Sequence, residues 1–130
     1  MSLIMWGDWF AVGIPKIDEQ HKLLLNMIND LSTVVSNEQK QVVVPSIISR
    51  LIDYSKEHFA YEESLMDTVP EDHRQLQTEE HNAFIAKVDD YVGACSSGYV
   101  PYGDMVEFLS GWLVNHIAEV DMELGRYLAA

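Results

Sequence analysis

The chain has 130 residues, 48% of them apolar and 22% charged, which is enough for one domain with a real hydrophobic core. Its 21 acids against 8 bases leave a formal charge of −13, which repels phosphate backbones and anionic lipid and so excludes nucleic acid and membrane surfaces as partners. The single cysteine, Cys95, lies in what reads as a Ser/Gly loop and excludes a disulfide framework and a Cys-based zinc site. With no apolar run of about 20 residues and no signal-peptide pattern, the expected setting is reducing and cytoplasmic.

Residues 1–17 place Gly7, Gly13 and Pro15 among Trp6, Trp9 and Phe10, which reads as an ordered apolar arm. Asp18 looks like a helix start, and apolar residues at 24, 25, 28, 31 and 35 give the first helix, about 18–37. "SNEQK" is a polar break. A second helix, about 44–66, opens at Val44 or Pro45, since proline suits a first turn. It carries the stripe Ile47, Ile48, Leu51, Ile52, Tyr54, Phe59 and Met66. "DTVPED" ends it. The third helix, about 71–94, has Leu76, Phe84, Ile85 and Val88 as its apolar positions. "CSSGYVPYG" is a loop, and the fourth helix runs over about 103–128. No alternating strand pattern competes. The predicted fold is all-α: one domain over 1–130, an antiparallel up-down four-helix bundle with an extended N-terminal arm.

The segment "YSKEHFAYEESLM" puts His58 four residues before Glu62. On a helix the two point the same way, about 40° apart and roughly 6 Å along the axis. His21, His81 and His116 occupy comparable positions on the other three helices, and Asp121 follows His116 by five. A lone histidine in an amphipathic helix is usually a hydrogen-bonded polar group. Here every helix supplies one beside its apolar stripe, and two helices add a carboxylate. Burying six such groups together without compensation costs several kcal/mol. A cation offsets that cost, and mixed nitrogen and oxygen donors suit iron, manganese or zinc. Two carboxylates have enough oxygens to bridge two metals. One spacing is awkward, because residues five apart on an ideal helix diverge by about 140°. His116 and Asp121 share a site only if the helix widens locally, as at a π-bulge, or if the metals lie between their two directions.

The segments "WGDWFAVGIPKIDEQH", "HFAYEE", "HNAF" and "WLVNHIAEVD", in that order over about residues 6–128, resemble the hemerythrins, and specifically the bacterial hemerythrin domains. The resemblance implies a four-helix bundle with a non-haem di-iron centre that reversibly binds O2. It implies His21 and His58 on one iron, His81 and His116 on the other, and Glu62 and Asp121 bridging the two iron ions beside an oxo or hydroxo group. Such domains occur both as separate proteins and as modules of larger signalling proteins.

The sequence departs from the family at one point. Where the family has a histidine four residues before His81, this chain has Gln77, a weak ligand through its carbonyl oxygen or a neighbour of the metal shell. His73 is eight residues from His81, about 12 Å along the helix and about 80° off its direction, and reads as a surface histidine. Glu63 reads as a solvated acid. With two histidines each, both irons are expected to keep a position open to O2, water or small anions. Trp112, Phe59, Ile117, Trp6 and Phe10 are candidates for an apolar shell around the O2 pocket, or plain core packing. The leading expectation is an O2-binding domain for O2 or redox sensing or O2 handling, not an enzyme. A di-iron oxidase or peroxidase is the first alternative, although no Glu stands three residues before any histidine, unlike ferritin-like sites. A structural bundle that has lost its metal is the second.

Overall fold

Three long helices and a fourth, interrupted rod carry nearly all of the described chain. The computed structural model describes residues 3–129. Residues 1, 2 and 130, the extremities of the expected domain, lie outside them. The helices are α1 (Pro15–Ser32), α2 (Asn37–Ser64), α3 (Glu71–Ser96), α4 (Tyr102–Asn115) and α5 (Met122–Ala129). A π-helical turn, His116–Asp121, joins α4 to α5 with helical backbone at both junctions, so these three make the fourth rod. The rods form the expected antiparallel four-helix bundle. The arm before α1 contains one 3-10 turn, Asp8–Phe10.

Each helix buries one stripe at helical spacing. On α1 it is Ile17, His21, Leu24, Leu25, Ile28 and Leu31. On α3 it is His73, Gln77, His81, Phe84, Val88 and Tyr91. Because successive rods run in opposite directions, the start of α1, the end of α2, the start of α3 and the end of the fourth rod meet at one end of the bundle. That end receives the histidines. The other end is closed by Leu31, Val44, Val88, Met105 and Leu109. There the Tyr102 hydroxyl donates to the Leu31 carbonyl at 2.6 Å, and the Tyr91 hydroxyl donates to Asp104 Oδ2 at 2.6 Å.

Several boundaries differ from those expected. The first helix begins at Pro15, with proline in its opening turn, where a missing N–H is no loss. Asp18 is therefore not the cap; it reaches back from the first turn to accept the Val12 N–H at 2.8 Å. That contact ties the arm to the helix. The "SNEQK" break is shorter than it reads, because Ser36 caps α2 by accepting the Gln39 N–H. Pro45 then sits inside α2 rather than at its start. The carbonyl its absent N–H leaves free belongs to exposed Gln41, where water can take it. Cys95 is half-buried in the last turn of α3, not in a loop. Leu76, assigned to the apolar stripe, is 39% exposed.

The arm packs against α1 and, at Val12, against α5. Asn29 holds it by exchanging two hydrogen bonds of 2.8 Å with the Ile4 backbone. Buried Gly125 allows the Val12 carbonyl to approach α5 so closely that a Cβ there would collide with it. Among the described residues no helix is long and apolar enough to cross a membrane.

Candidate metal centre

His21, His58, Glu62, His81, His116 and Asp121 come together in one cluster, each at most 2% exposed. They divide into two sets of potential ligand atoms that share both carboxylates. One set is His21, His58, Glu62 and Asp121; the other is Glu62, His81, His116 and Asp121, with the offered atoms of each set within 4.8 Å of one another. Glu62 Oε1 lies 3.2 Å from the Nε2 atoms of both His58 and His81, and Oε2 lies 3.8 Å from His21 Nε2. Asp121 spans the sets the other way, with Oδ2 3.0 Å from His21 Nε2 and Oδ1 3.2 Å from His116 Nε2.

Asp121 reaches this position because the helix widens. The turn His116–Asp121 is π-helical, so residues five apart come to nearly the same direction. Of the two ways His116 and Asp121 could share a site, the chain takes the local bulge.

Three imidazoles are turned by partners on their far side. His58 Nδ1 lies 2.7 Å from Gln20 Oε1, His81 Nδ1 is 2.9 Å from Glu63 Oε2, and His116 Nδ1 is 2.7 Å from Glu80 Oε1. Each partner presents an accepting oxygen, so each Nδ1 carries the proton and donates. Nε2 is then a bare lone pair facing the carboxylates. The supporting residues follow a rule of adjacency. Gln20 precedes His21 but serves His58 on α2. Glu63 follows Glu62 but serves His81 on α3. Glu80 precedes His81 but serves His116 on the fourth rod. Glu63 is thus no free solvated acid, although its side chain is 41% exposed. Position beside a ligand residue was the available sequence signal for all three.

A lone pair facing a carboxylate oxygen is two acceptors meeting. Accordingly His21 Nε2, both Glu62 oxygens, His81 Nε2, His116 Nε2 and Asp121 Oδ2 are buried with no hydrogen-bond partner. Something positive must sit between them. Without a cation, protons take that role unevenly. Burial works against a charged His116, but the Asp121 carboxylate 3.2 Å away and the charge of Glu62 push the imidazole up to about 9. Burial and the neighbouring Asp121 charge push Glu62 up to about 7. Burial pushes His58 down to about 4, against the pull of Asp121. Asp121 is held well below the usual carboxylate range, burial notwithstanding, by His116 and then His21. A donor set of four imidazoles and two shared carboxylates, with its lone pairs converging, fits two cations better than it fits any distribution of protons.

Two aromatic rings cover this cluster. Phe59 stacks on His81 at 3.9 Å and 8° between planes, and Trp112 stacks on His116 at 4.4 Å and 11°. Ile117 is fully buried beside His116. Trp6 and Phe10 stack on each other at 5.7 Å. Among the described residues neither ring pairs with a site imidazole. Gln77 is fully buried, and its Nε2 donates to Asp121 Oδ1 at 3.1 Å. His73 is buried as well, at 4% exposure, with Nε2 3.3 Å from Gln77 Nε2. It is not the surface histidine that its polar "PEDHR" setting suggests.

Residues 12–128 match the hemerythrin HHE cation-binding domain. The chain belongs to the hemerythrin family. A bacteriohemerythrin of Stenotrophomonas maltophilia is 32% identical over 117 residues, covering 90% of this chain and 76% of that protein. A bacteriohemerythrin of Clostridium acetobutylicum is 30% identical over 130 aligned positions, covering 93% of this chain and 98% of the relative. A solved wild-type hemerythrin superposes with a TM-score of 0.85 at 28% identity, over 99% of this chain and 100% of the other. Hemerythrin domains carry a di-iron centre and bind O2 at it, and membership of the family implies the same for this chain. The buried His, Glu and Asp cluster is able to hold that metal.

Proposed function

We propose that His21 and His58 hold one iron, His81 and His116 the other, and Glu62 and Asp121 bridge them, in a domain that serves O2 or redox sensing. The observation that carries the assignment is the sharing of both carboxylates between two pairs of buried imidazoles, with Nε2 of His21, His81 and His116 left without a hydrogen-bond partner. When bound, the iron pair supplies the electrons for reversible binding of O2. The protein's own groups do the rest. Gln20, Glu63 and Glu80 fix the proton on Nδ1 and keep Nε2 directed inward, and their oxygens raise the basicity of the rings. Phe59 and Trp112 keep bulk water off His81 and His116. The bare-bundle alternative leaves those lone pairs unanswered.

Sensing is favoured over storage by Gln77. An amide in place of a histidine leaves each iron with two imidazoles, so each keeps a position open to O2, water or a small anion. A centre of that kind changes ligand and oxidation state readily, which suits a signal more than a reservoir. Within this reading the domain works in a reducing, cytoplasmic setting and passes its state to a signalling partner.

The test is elemental analysis of freshly purified protein from iron-replete cells, followed by visible spectra through repeated cycles of O2 and reductant. The expected result is about two irons per chain and a spectrum that cycles. Less than half an iron, with no other transition metal in its place, would end the metal assignment. Steady consumption of reductant would instead favour an oxidase.

A further inference from the structure

Gln77 is a buried amide whose two ends have different fates. Its Nε2 lies 3.1 Å from Asp121 Oδ1 and 3.3 Å from His73 Nε2, while its Oε1 is buried with no partner. A carboxylate only accepts, so the end facing Asp121 is the nitrogen. An amide nitrogen has two hydrogens and no lone pair to offer. His73 Nε2 must therefore be the acceptor of the second N–H, and His73 carries its own proton on Nδ1. That atom faces Glu123 Oε2, 3.8 Å away. The far side of the ring is fixed too, since it packs edge-on against Tyr127 with centroids 5.2 Å apart.

Resting on the di-iron reading above, we propose that His73 is a positioning residue for the metal centre, acting through Gln77. By taking one amide N–H it fixes the side chain so that the other N–H holds Asp121 and the carbonyl oxygen stays free, facing no protein donor. That free oxygen is what the position offers in place of the family's histidine: a donor to a metal, or an acceptor for a hydrogen-bearing ligand such as water. Three residues spaced four apart on α3, His73, Gln77 and His81, thus act along one face. The first two shape what the third and Asp121 hold.

The assignment separates hydrogen bonding from packing, and so do the variants. His73→Gln keeps an acceptor at the reach of Nε2 and loses the ring. His73→Phe keeps the ring against Tyr127 and loses the acceptor; His73→Leu replaces it if the larger ring prevents folding. The readouts are Co2+ affinity and the visible absorption of the Co2+ protein, on variants whose circular dichroism matches the parent. The expected result is about tenfold weaker Co2+ binding with an altered spectrum for His73→Phe, since distant partners of ligand residues cost 10–100-fold when lost. His73→Gln should stay within about threefold of the parent. In a Gln77→Leu background, His73→Phe should add less than a twofold loss.

Parental binding in His73→Phe with loss in His73→Gln would make the ring packing the operative contact and overturn the proposal. An undiminished loss in the Gln77→Leu background would do the same, because His73 would then act by another route. If the parent protein bound no Co2+ and no iron, the metal reading itself would fall, and the pair's role with it.

Discussion

At one end of the bundle Leu31, Val44, Ile48, Val88, Met105 and Leu109 meet with at most 1% of any of them exposed; at the other, His21, His58, Glu62, His81, His116 and Asp121 are buried just as deeply. The same helices, cut from the same stripes, build both. The apolar end is self-sufficient, because every contact there is satisfied by another side chain. The polar end is not, because its lone pairs face one another. Depth of burial therefore does not distinguish structure from function in this domain. What distinguishes them is whether the buried groups complete each other.

Truncation at each end should break the comparison most sharply. Leu109→Ala removes fully buried apolar volume and is expected to lower unfolding free energy by about 2–5 kcal/mol while the chain still binds two metals. Glu62→Ala removes an acceptor that has no hydrogen-bond donor in the metal-free protein, so it should move the metal-free melting temperature less than Leu109→Ala does. It should nevertheless abolish most metal binding, since both ligand sets use Glu62. Calorimetry beside metal analysis checks both. Two metals retained in Glu62→Ala would remove the carboxylate from the site.

Titration sharpens the same contrast. In the metal-free protein the folded state holds a proton on His116 up to about pH 9, whereas the unfolded chain releases it near 6.5. That contribution is complete below pH 6.5 and disappears as pH rises through 9. Glu62, raised to about 7, also loses its contribution upward from about 4.5. His58, lowered to about 4, works in the opposite sense between 4 and 6.5 and offsets Glu62 there. Above pH 6.5 only losses remain. The metal-free protein is expected to lose up to about 3 kcal/mol between pH 6.5 and 9, at about 1.4 kcal/mol per unit. The loaded protein should not, because a cation takes the proton's place at His116. Thermal melts across that range, with and without chelator, read the difference. A flat metal-free profile would mean that Asp121 does not hold the His116 proton in solution.

The bundle and the six clustered residues were legible because periodicity marks both. A histidine one turn from a buried leucine is itself placed inward. The start of α2 was not legible, since Ser36 caps through a hydrogen bond that composition does not reveal and Pro45 reads as a helix start when it lies within one. In the first half of α3 the inference ran backwards, while Phe84 and Val88 are buried as expected. Leu76 is apolar and faces out, while His73 and Gln77 are polar and face in. Hydropathy assigned the stripe by residue type, and beside the site that assignment is inverted. The widened turn at His116–Asp121 was legible only as a condition: if the two residues share a site, the helix must bulge or the metals must sit between them.

Gln20 and Glu80 escape notice, and Glu63 reads as a solvated acid, because each serves a histidine on a different helix from its own, and a single sequence does not show which helices are neighbours. That arrangement makes the smallest of the expected effects and also the most specific. Removing the Glu80 carboxylate leaves His116 in place, still buried and still stacked on Trp112, but takes away the acceptor that fixes its tautomer. Glu80→Ala should therefore weaken metal binding by about 10–100-fold with almost no change in the folded metal-free protein's secondary structure. Glu80→Gln keeps an accepting oxygen and should recover most of the affinity, which separates orientation from charge. If both variants bind metal as the parent does, the inward direction of Nε2 is set by packing against Trp112 alone, and the adjacency of Glu80 to His81 is incidental.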